Sequence, residues 1–562
     1  DHRDLHLSIR RQRQDVYKRQ INNIVGDIDG NLKRAIDILD QAEELNSDLV
    51  VFSELFLSGY PPEDLVLKKS FVEECRNALD TLINYSKTKK VGLIVGLPIY
   101  EKNNLFNAAA IVDEGKLIGF SKKINLPNYS VFDEKRVFHQ NDIPKVFEFR
   151  GIKLGVPICE DIWQDNVCLE LKNQGCELIV SPNGSPFDKY KINQRKTIIE
   201  DRVSEIGLPF VYINQVGGQD ELVFDGSSLI MNGDKEIIYE APPWQEHNAV
   251  IEFNEKEKKF NNLSFDEFKF SDLENIYMAT VIGLRDYVSK NNFPGVILGL
   301  SGGIDSAFCA AVAVDALGKD KVEAYMLPSN YTSENSTIDA EDCANRLEIN
   351  LETIPISDTF LSLEESLKTS FKGLPNDITE ENLQSRIRGT ILMAISNKKG
   401  KMLITTGNKS EVSVGYSTLY GDMNGGFNPI KDIYKTELYA LANWRNINVP
   451  NNILLDKKDV IPASIISKEP TAELRDNQKD SDSLPPYDEL DQILEGLVEY
   501  ELSTSELEKK GFSREEIKKV ENLLYVSEYK RRQSAPGVKI SLRNFGRDRR
   551  YPITNKFRDK IE

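Results

Sequence analysis

The run VILGLSGGIDS at residues 296–306 has the residue types needed to hold a phosphate. An apolar strand feeds Ser301, Gly302 and Gly303, and Asp305 and Ser306 then open a helix. Glycines allow the tight turn that brings backbone N–H groups against an oxyanion, and the helix N-terminus adds a favourable dipole. The run lacks the GxxxxGK[ST] spacing, so it is not the common NTPase loop. A second candidate is Cys159 in ICEDIW, where an apolar strand turns towards a helix. Buried cysteines are most often inert, so thiol chemistry needs companions that act on its proton. Glu54 in SELFLSGY and Lys123 in KKINLPNY carry suitable charges. The chain has only four histidines (His2, His6, His139 and His247), which leaves little room for a histidine base.

Further polar groups cluster downstream of the glycine loop. Asn382 lies in ENLQSRIR (381–388), at the start of an amphipathic helix. Thr406 and Glu411 lie in TTGNKSE (405–411), just after an apolar strand. GYSTLYGD (415–422) is a hydroxyl-rich, flexible stretch suited to covering a nucleotide. Lys530 sits in the basic cluster YKRRQ (529–533), a candidate anchor for phosphate or carboxylate in an acidic chain.

The elements that must position these groups alternate between helix and strand, which predicts an α/β fold. The first half has helical spacing over 31–45, strands at 48–52 and 91–97, a hairpin at 107–113 and 116–120, and buried strands at 152–158, 178–181 and 210–214. The candidate residues follow strand ends, where open sheets place their sites. Polar residues at 253–275 predict a linker. A second alternation runs through helix 274–290, strand 296–300, helix 305–317, strand 322–327, helix 333–348 and strand 402–406, with helix over 488–533. Residues 1–20 are arginine-rich without an apolar period and are expected to be a disordered or artefactual end. The predicted domains are 21–252 and 276–562.

The whole chain is consistent with this plan. Its 562 residues exceed one hydrophobic core. A net charge of −18 excludes a general nucleic-acid-binding role, and no apolar run approaches the ~20 residues of a membrane span. No signal peptide is visible. Six scattered cysteines lack disulfide or metal spacing, which predicts a reducing, cytoplasmic setting.

Together, Glu54, Lys123 and Cys159 resemble the Glu–Lys–Cys set of the nitrilase superfamily, which implies an α-β-β-α sandwich. By that resemblance the glutamate takes the thiol proton and later activates water, the lysine stabilises the oxyanion, and glutamine acylates the cysteine as ammonia leaves. Glu134 is a supporting carboxylate. SGGIDS resembles the pyrophosphatase loop of ligases that convert ATP to AMP, implying a Rossmann-like adenine nucleotide α-hydrolase-like (PP-loop) domain. A nitrilase-type glutaminase ahead of such a loop is similar to the glutamine-dependent NAD+ synthetase family, over about Gln20 to the C-terminus. GMP-synthetase-like enzymes pair this kind of loop with a Cys–His–Glu glutaminase and asparagine-synthetase-like ones with an N-terminal cysteine, whereas this chain starts with Asp1.

The resemblance implies ATP-dependent amidation of deamido-NAD+ through an adenylylated intermediate, giving AMP and pyrophosphate in the last step of NAD+ biosynthesis. Tyr129, Ser185 and Lys191 would bind glutamine. Gly299, Leu300, Ser301, Gly302, Gly303, Ile304, Asp305, Ser306 and Thr406 would bind ATP. Asn382, Glu411 and Lys530 would contact deamido-NAD+, and Asp305 and Glu411 would hold Mg2+. An ammonia tunnel and a homo-oligomer, commonly an octamer, are also implied. The alternative is an amidoligase acting on a different carboxylate. The opening departs from the family: QINNIVGD (20–27) fits, but RRQR (10–13) and YKR (17–19) stand where an apolar strand should run. If those residues are genuine, the sheet is expected to lose a central strand.

Overall fold

The structure is a computed structural model that describes residues 13–261, 268, 270–476 and 478–559. The chain divides into two compact units, the first ending at Phe270 but without Asp220–Leu222, which belong to the second, and the second running on from Ser271. The first contains β1 (Arg13–Gln20), α1 (Ile28–Glu44), β2 (Leu49–Val51), α2 (Lys69–Ser86), β3 (Gly92–Glu101), β4 (Asn104–Asp113), β5 (Lys116–Lys122), β6 (Val146–Phe149), β7 (Ile152–Gly155), α3 (Asn166–Asn173), β8 (Leu178–Asn183), α4 (Lys191–Ile206), β9 (Phe210–Asn214), β10 (Val216–Gln219), β11 (Leu222–Asp225), β12 (Leu229–Met231), β13 (Ile237–Glu240), β14 (His247–Asn254) and β15 (Lys259–Phe260).

These strands build a seven-stranded sheet, β15-β14-β1-β2-β3-β4-β5, and a six-stranded sheet, β13-β12-β9-β8-β7-β6. The inner faces meet in one apolar layer. Val51, Ile94 and Ile111 come from the first sheet, and Leu154, Val180 and Ile213 from the second. Each such side chain, removed from water, contributes about 1.5–3 kcal/mol. On the outer face of the six-stranded sheet, Leu171 of α3 and Ile199 and Val203 of α4 cover Phe210 and Tyr212. Helix α1 is capped by Asp27, which accepts from the Gly30 N–H, and buries Ala35, Ile38, Leu39 and Ala42 at helical spacing. With α2 packed on β3, the result is the expected α-β-β-α sandwich.

Two expectations about the ends of this domain need correction. Residues 13–20 form no tail: β1 runs antiparallel to β14 and parallel to β2, in the middle of its sheet. The anticipated loss of a central strand does not occur, because ladder bonds come from backbone N–H and C=O groups, which any non-proline residue supplies. Residues 1–12 lie outside the described residues. The linker placed at 253–275 is also shorter, since 253–254 end β14 and 259–260 form β15. Residues 262–267 and 269 of that linker lie outside the described residues.

The second unit contains α5 (Asp272–Lys290), β16 (Val296–Gly299), α6 (Ile304–Leu317), β17 (Val322–Met326), α7 (Glu334–Leu347), β18 (Asn350–Thr353), α8 (Ser357–Leu367), α9 (Ile378–Lys399), β19 (Met402–Ile404), α10 (Lys409–Val414) and α11 (Lys435–Ile447), with shorter helices after them. Its sheet is wholly parallel in the order β18-β17-β16-β19. The order reverses at β16, so a crevice opens past the ends of β16 and β19, the usual ligand position in such sheets. The stretch 488–533 is helical as expected, divided into several helices. Ser503 and Ser513 cap new helices within it by accepting from the N–H groups of Glu506 and Glu516. Among the described residues, no helix is long and apolar enough to cross a membrane.

Candidate active sites

In the first unit, β2, β5, β7 and β8 each deliver a candidate residue just past their C-terminal ends. Glu54 follows β2, Lys123 follows β5, Cys159 follows β7 and Ser185 follows β8. The Lys123 ammonium donates to Glu54 Oε1 at 2.7 Å and to Glu134 Oε1 at 2.9 Å. Glu54 also accepts from Asn107 Nδ2 at 2.7 Å and from the Gly184 N–H at 2.9 Å. Tyr60 donates to Glu134 at 3.2 Å. All these groups are buried, so their partners are obligatory: an isolated charge in such a place would be strongly disfavoured.

Cys159 sits at the elbow between β7 and a short 3-10 turn (Cys159–Ile162) with φ 46°, in the left-handed region. A non-glycine residue there stores roughly 1–3 kcal/mol of strain, a feature concentrated at functional positions. Burial first, and then the Glu54 charge, push the thiol well above its ordinary value, while Lys123 opposes them. The resting thiol is therefore protonated and needs a base during attack. Burial pulls the Lys123 ammonium down, but Glu134 and Glu54 outweigh it, and Lys123 stays charged. Burial raises Glu134 to about 7 against the pull of Lys123.

The proposed glutamine-binding residues flank this group. Tyr129 donates to both oxygens of Glu160, at 3.1 and 3.0 Å. Lys191 lies over the Trp163 ring, 3.9 Å from its centroid, and burial lowers its pKa. Ser185 is fixed by a backbone exchange with the Asn214 amide. Sequence reasoning did not single out Asn107, Glu160 or Asp161. Glu160 and Asp161 lie in the same ICEDIW run, whose paired acids were a usable signal.

In the second unit, a cavity of about 460 Å³ opens past β16 and β19. Residues 299–306 line it except Gly302, together with Thr406, Asn382, Glu411 and Lys530. Gly302 instead shapes the loop. Its φ is +79°, and a Cβ there would lie 2.2 Å from the Ser336 carbonyl oxygen. We expect Gly302→Ala to lose about 1–3 kcal/mol of stability and to weaken ATP binding, read by denaturant unfolding and by nucleotide titration.

Asp305 and Glu411 are linked by a residue the sequence reading omitted. Lys435, at the start of α11, donates to Asp305 Oδ2 at 2.5 Å and to Glu411 Oε1 at 3.0 Å. Asn408 donates to Asp305 Oδ1 at 2.7 Å, and its amide oxygen caps α10 by accepting from the Glu411 N–H at 3.0 Å. Burial raises Glu411 to about 7, with Lys435 opposing. Lys435 thus marks a point where a cation is held between two hard oxygen donors. No cluster of three metal-ligating side chains occurs among the described residues. The pair nevertheless suits Mg2+, which binds through one or two carboxylates completed by phosphate oxygens and water.

Two other expectations change in detail. The Lys530 ammonium lines the cavity but donates to the carbonyls of Gly415 and Ser417 at 2.8 and 2.7 Å. Asn382 accepts from Thr418 Oγ1 at 2.8 Å. The stretch 415–422 is therefore pinned, and Asp422 adds bonds to Thr418 and Ser385.

The two halves match two family models: carbon-nitrogen hydrolase over residues 18–255 and NAD synthase over 276–534. The glutamine-dependent NAD(+) synthetase of Rhodobacter capsulatus is 43% identical over 542 residues, covering 96% of this chain and 98% of that protein. The chain belongs to the glutamine-dependent NAD(+) synthetase family. Its relative from Thermotoga maritima is 42% identical over 576 residues, with 96% and 98% coverage. The solved family member from Acinetobacter baumannii, in complex with ADP, is 40% identical with a TM-score of 0.78, covering 98% of this chain and 100% of that one. The fold and the two-domain plan inferred from the motifs are those of the family.

Proposed function

We propose that this chain makes NAD+ from deamido-NAD+, using ATP and taking nitrogen from glutamine, with glutamine hydrolysed in the first unit and the ligation in the second. The observation that carries the reading is the coexistence, in one chain, of a buried thiol acted on by Glu54 and Lys123 and a separate glycine-loop cavity. The ADP bound to the Acinetobacter baumannii relative supports the use of an adenine nucleotide.

Glu54 takes the proton of Cys159 as sulfur bonds the carboxamide carbon of glutamine. The Lys123 ammonium faces the resulting oxyanion, and its two carboxylate partners keep it charged. The C–N bond breaks, nitrogen leaves as ammonia with the transferred proton, and a thioester remains. Water, deprotonated by Glu54, then releases glutamate and restores the thiol. Tyr129, Ser185 and Lys191 hold the amino-acid end.

In the ligase cavity, a carboxylate oxygen of deamido-NAD+ attacks the α-phosphorus of ATP, and pyrophosphate leaves against the N–H groups of residues 301–306. Ammonia attacks the acyl carbon, AMP departs with the bridging oxygen, and NAD+ forms. Thr406 lies beside the adenylate, and Asn382, Glu411 and Lys530 face the dinucleotide. Mg2+ held by Asp305 and Glu411 would supply charge neutralisation at the phosphates. The reading also carries a cytoplasmic setting and a homo-oligomer, the latter checked by light scattering on the purified protein.

Purified protein given ATP, Mg2+, glutamine and deamido-NAD+ is expected to yield NAD+, AMP and pyrophosphate. Folded protein that makes no NAD+ with either glutamine or ammonium would remove the ligase assignment. Chelation by EDTA is expected to stop NAD+ formation from both donors while Cys159 stays open to alkylation by iodoacetamide. Loss of alkylation as well would contradict a cation requirement confined to the ligase.

A further inference from the structure

Asp161 lies two residues past Cys159, 1% exposed, and is used by no step above. Its carboxylate binds backbone. Oδ1 accepts from the N–H groups of Ile124 at 3.0 Å and Asn125 at 2.7 Å, and Oδ2 accepts from Ile158 at 2.9 Å. Ile124 and Asn125 directly follow Lys123, and Ile158 directly precedes Cys159. One side chain therefore joins the segment that carries the ammonium to the elbow that carries the sulfur. A second stitch lies alongside, where Ser121 Oγ donates to the Val156 carbonyl at 2.6 Å.

We propose that Asp161 is a positioning residue for glutamine hydrolysis, fixing through these three amides the separation between the Lys123 ammonium and the Cys159 sulfur. This rests on the glutaminase assignment made above. Only a carboxylate of this length fits the task. Asparagine has the same shape but one acceptor oxygen, so its NH2 would face either the Ile158 N–H or the pair at Ile124 and Asn125. Glutamate keeps both oxygens but adds a methylene, pushing the two segments apart. Burial raises Asp161 to about 6, with the three amides pulling the other way, so the group is held here against its own solvation.

The mechanism needs the ammonium where the oxyanion forms, and a displacement of about 1 Å at such a contact costs on the order of 100-fold in rate. Substrate binding by Tyr129, Ser185 and Lys191 is separate from it. With ATP and deamido-NAD+ present, Asp161→Asn and Asp161→Glu are each expected to lower kcat for glutamine by about 100-fold. KM for glutamine should stay within about threefold, because no substrate contact is removed. Ammonium-supported NAD+ formation should be unchanged. In the wild-type protein, the amides of Ile124, Asn125 and Ile158 should exchange with deuterium as slowly as those of β8.

Folded Asp161→Asn with wild-type kcat, or with a raised KM and unchanged kcat, would overturn the proposal. Rapid exchange at the three amides would do so too, and that measurement decides the matter even if neither variant folds. A wild-type protein that uses ammonium but never glutamine would instead defeat the glutaminase assignment.

Discussion

Cys159→Ala is expected to abolish NAD+ formation from glutamine and to leave formation from ammonium near the wild-type rate. The sulfur is the only protein atom that bonds the substrate carbon in the proposed hydrolysis, and that carbon is released to water only after the thioester has formed. Loss of a covalent nucleophile of this kind removes about 10⁴-fold or more of rate. The substitution is also gentle to the fold: it deletes one buried atom and keeps the Glu54–Lys123–Glu134 network. A coupled assay run in parallel with both donors decides the point. Equal loss with glutamine and with ammonium in folded protein would mean that the two chemistries are not separate.

Asp305→Asn should give the opposite pattern, with loss of NAD+ formation from both donors by roughly 10³-fold, the scale of deleting a preorganised charged contact. Asp305 begins α6 beside the phosphate loop and receives both Lys435 and Asn408. The neutral amide leaves Lys435 with Glu411 as its remaining carboxylate in this cluster and points an NH2 towards either the ammonium or the Asn408 donor. Thiol alkylation at Cys159 should proceed as in the wild type. Retained ligation in Asp305→Asn, measured with saturating ammonium, would remove this residue from the nucleotide site.

Much of the architecture was legible because its signals are local. The helical period over 31–45, the apolar runs of β3, β4, β8, β9 and β16, and the glycine loop can each be read within a short window. The misses are strands whose own residues carry no apolar period. β1 is polar, yet it fills its slot through backbone pairing with strands distant in the chain. β18 is an edge strand of four residues, mostly exposed, so burial left no alternation in its sequence. β12 has only three residues and β13 only four, too few to establish a period.

The candidate sites divide in the same way. SGGIDS and ICEDIW announce themselves, but Lys435 reads as an ordinary residue of a helix start, and its carboxylate partner Asp305 is 130 residues away. Asp161 looks like a solvated acid until Ile124, 37 residues earlier, is seen to donate to it.

The pairing of β1 with β14 bears on how the ribosome makes this protein. The Gln20 side chain bonds the Pro242 carbonyl across 222 residues of sequence. During synthesis β1 emerges before the other strands of its sheet, while one of its two ladder partners appears only after nearly the whole domain has been translated. Such distant contacts slow folding. The nascent domain therefore carries an open flank on its central sheet until its last strands leave the exit tunnel, the interval in which a chaperone has something to shield.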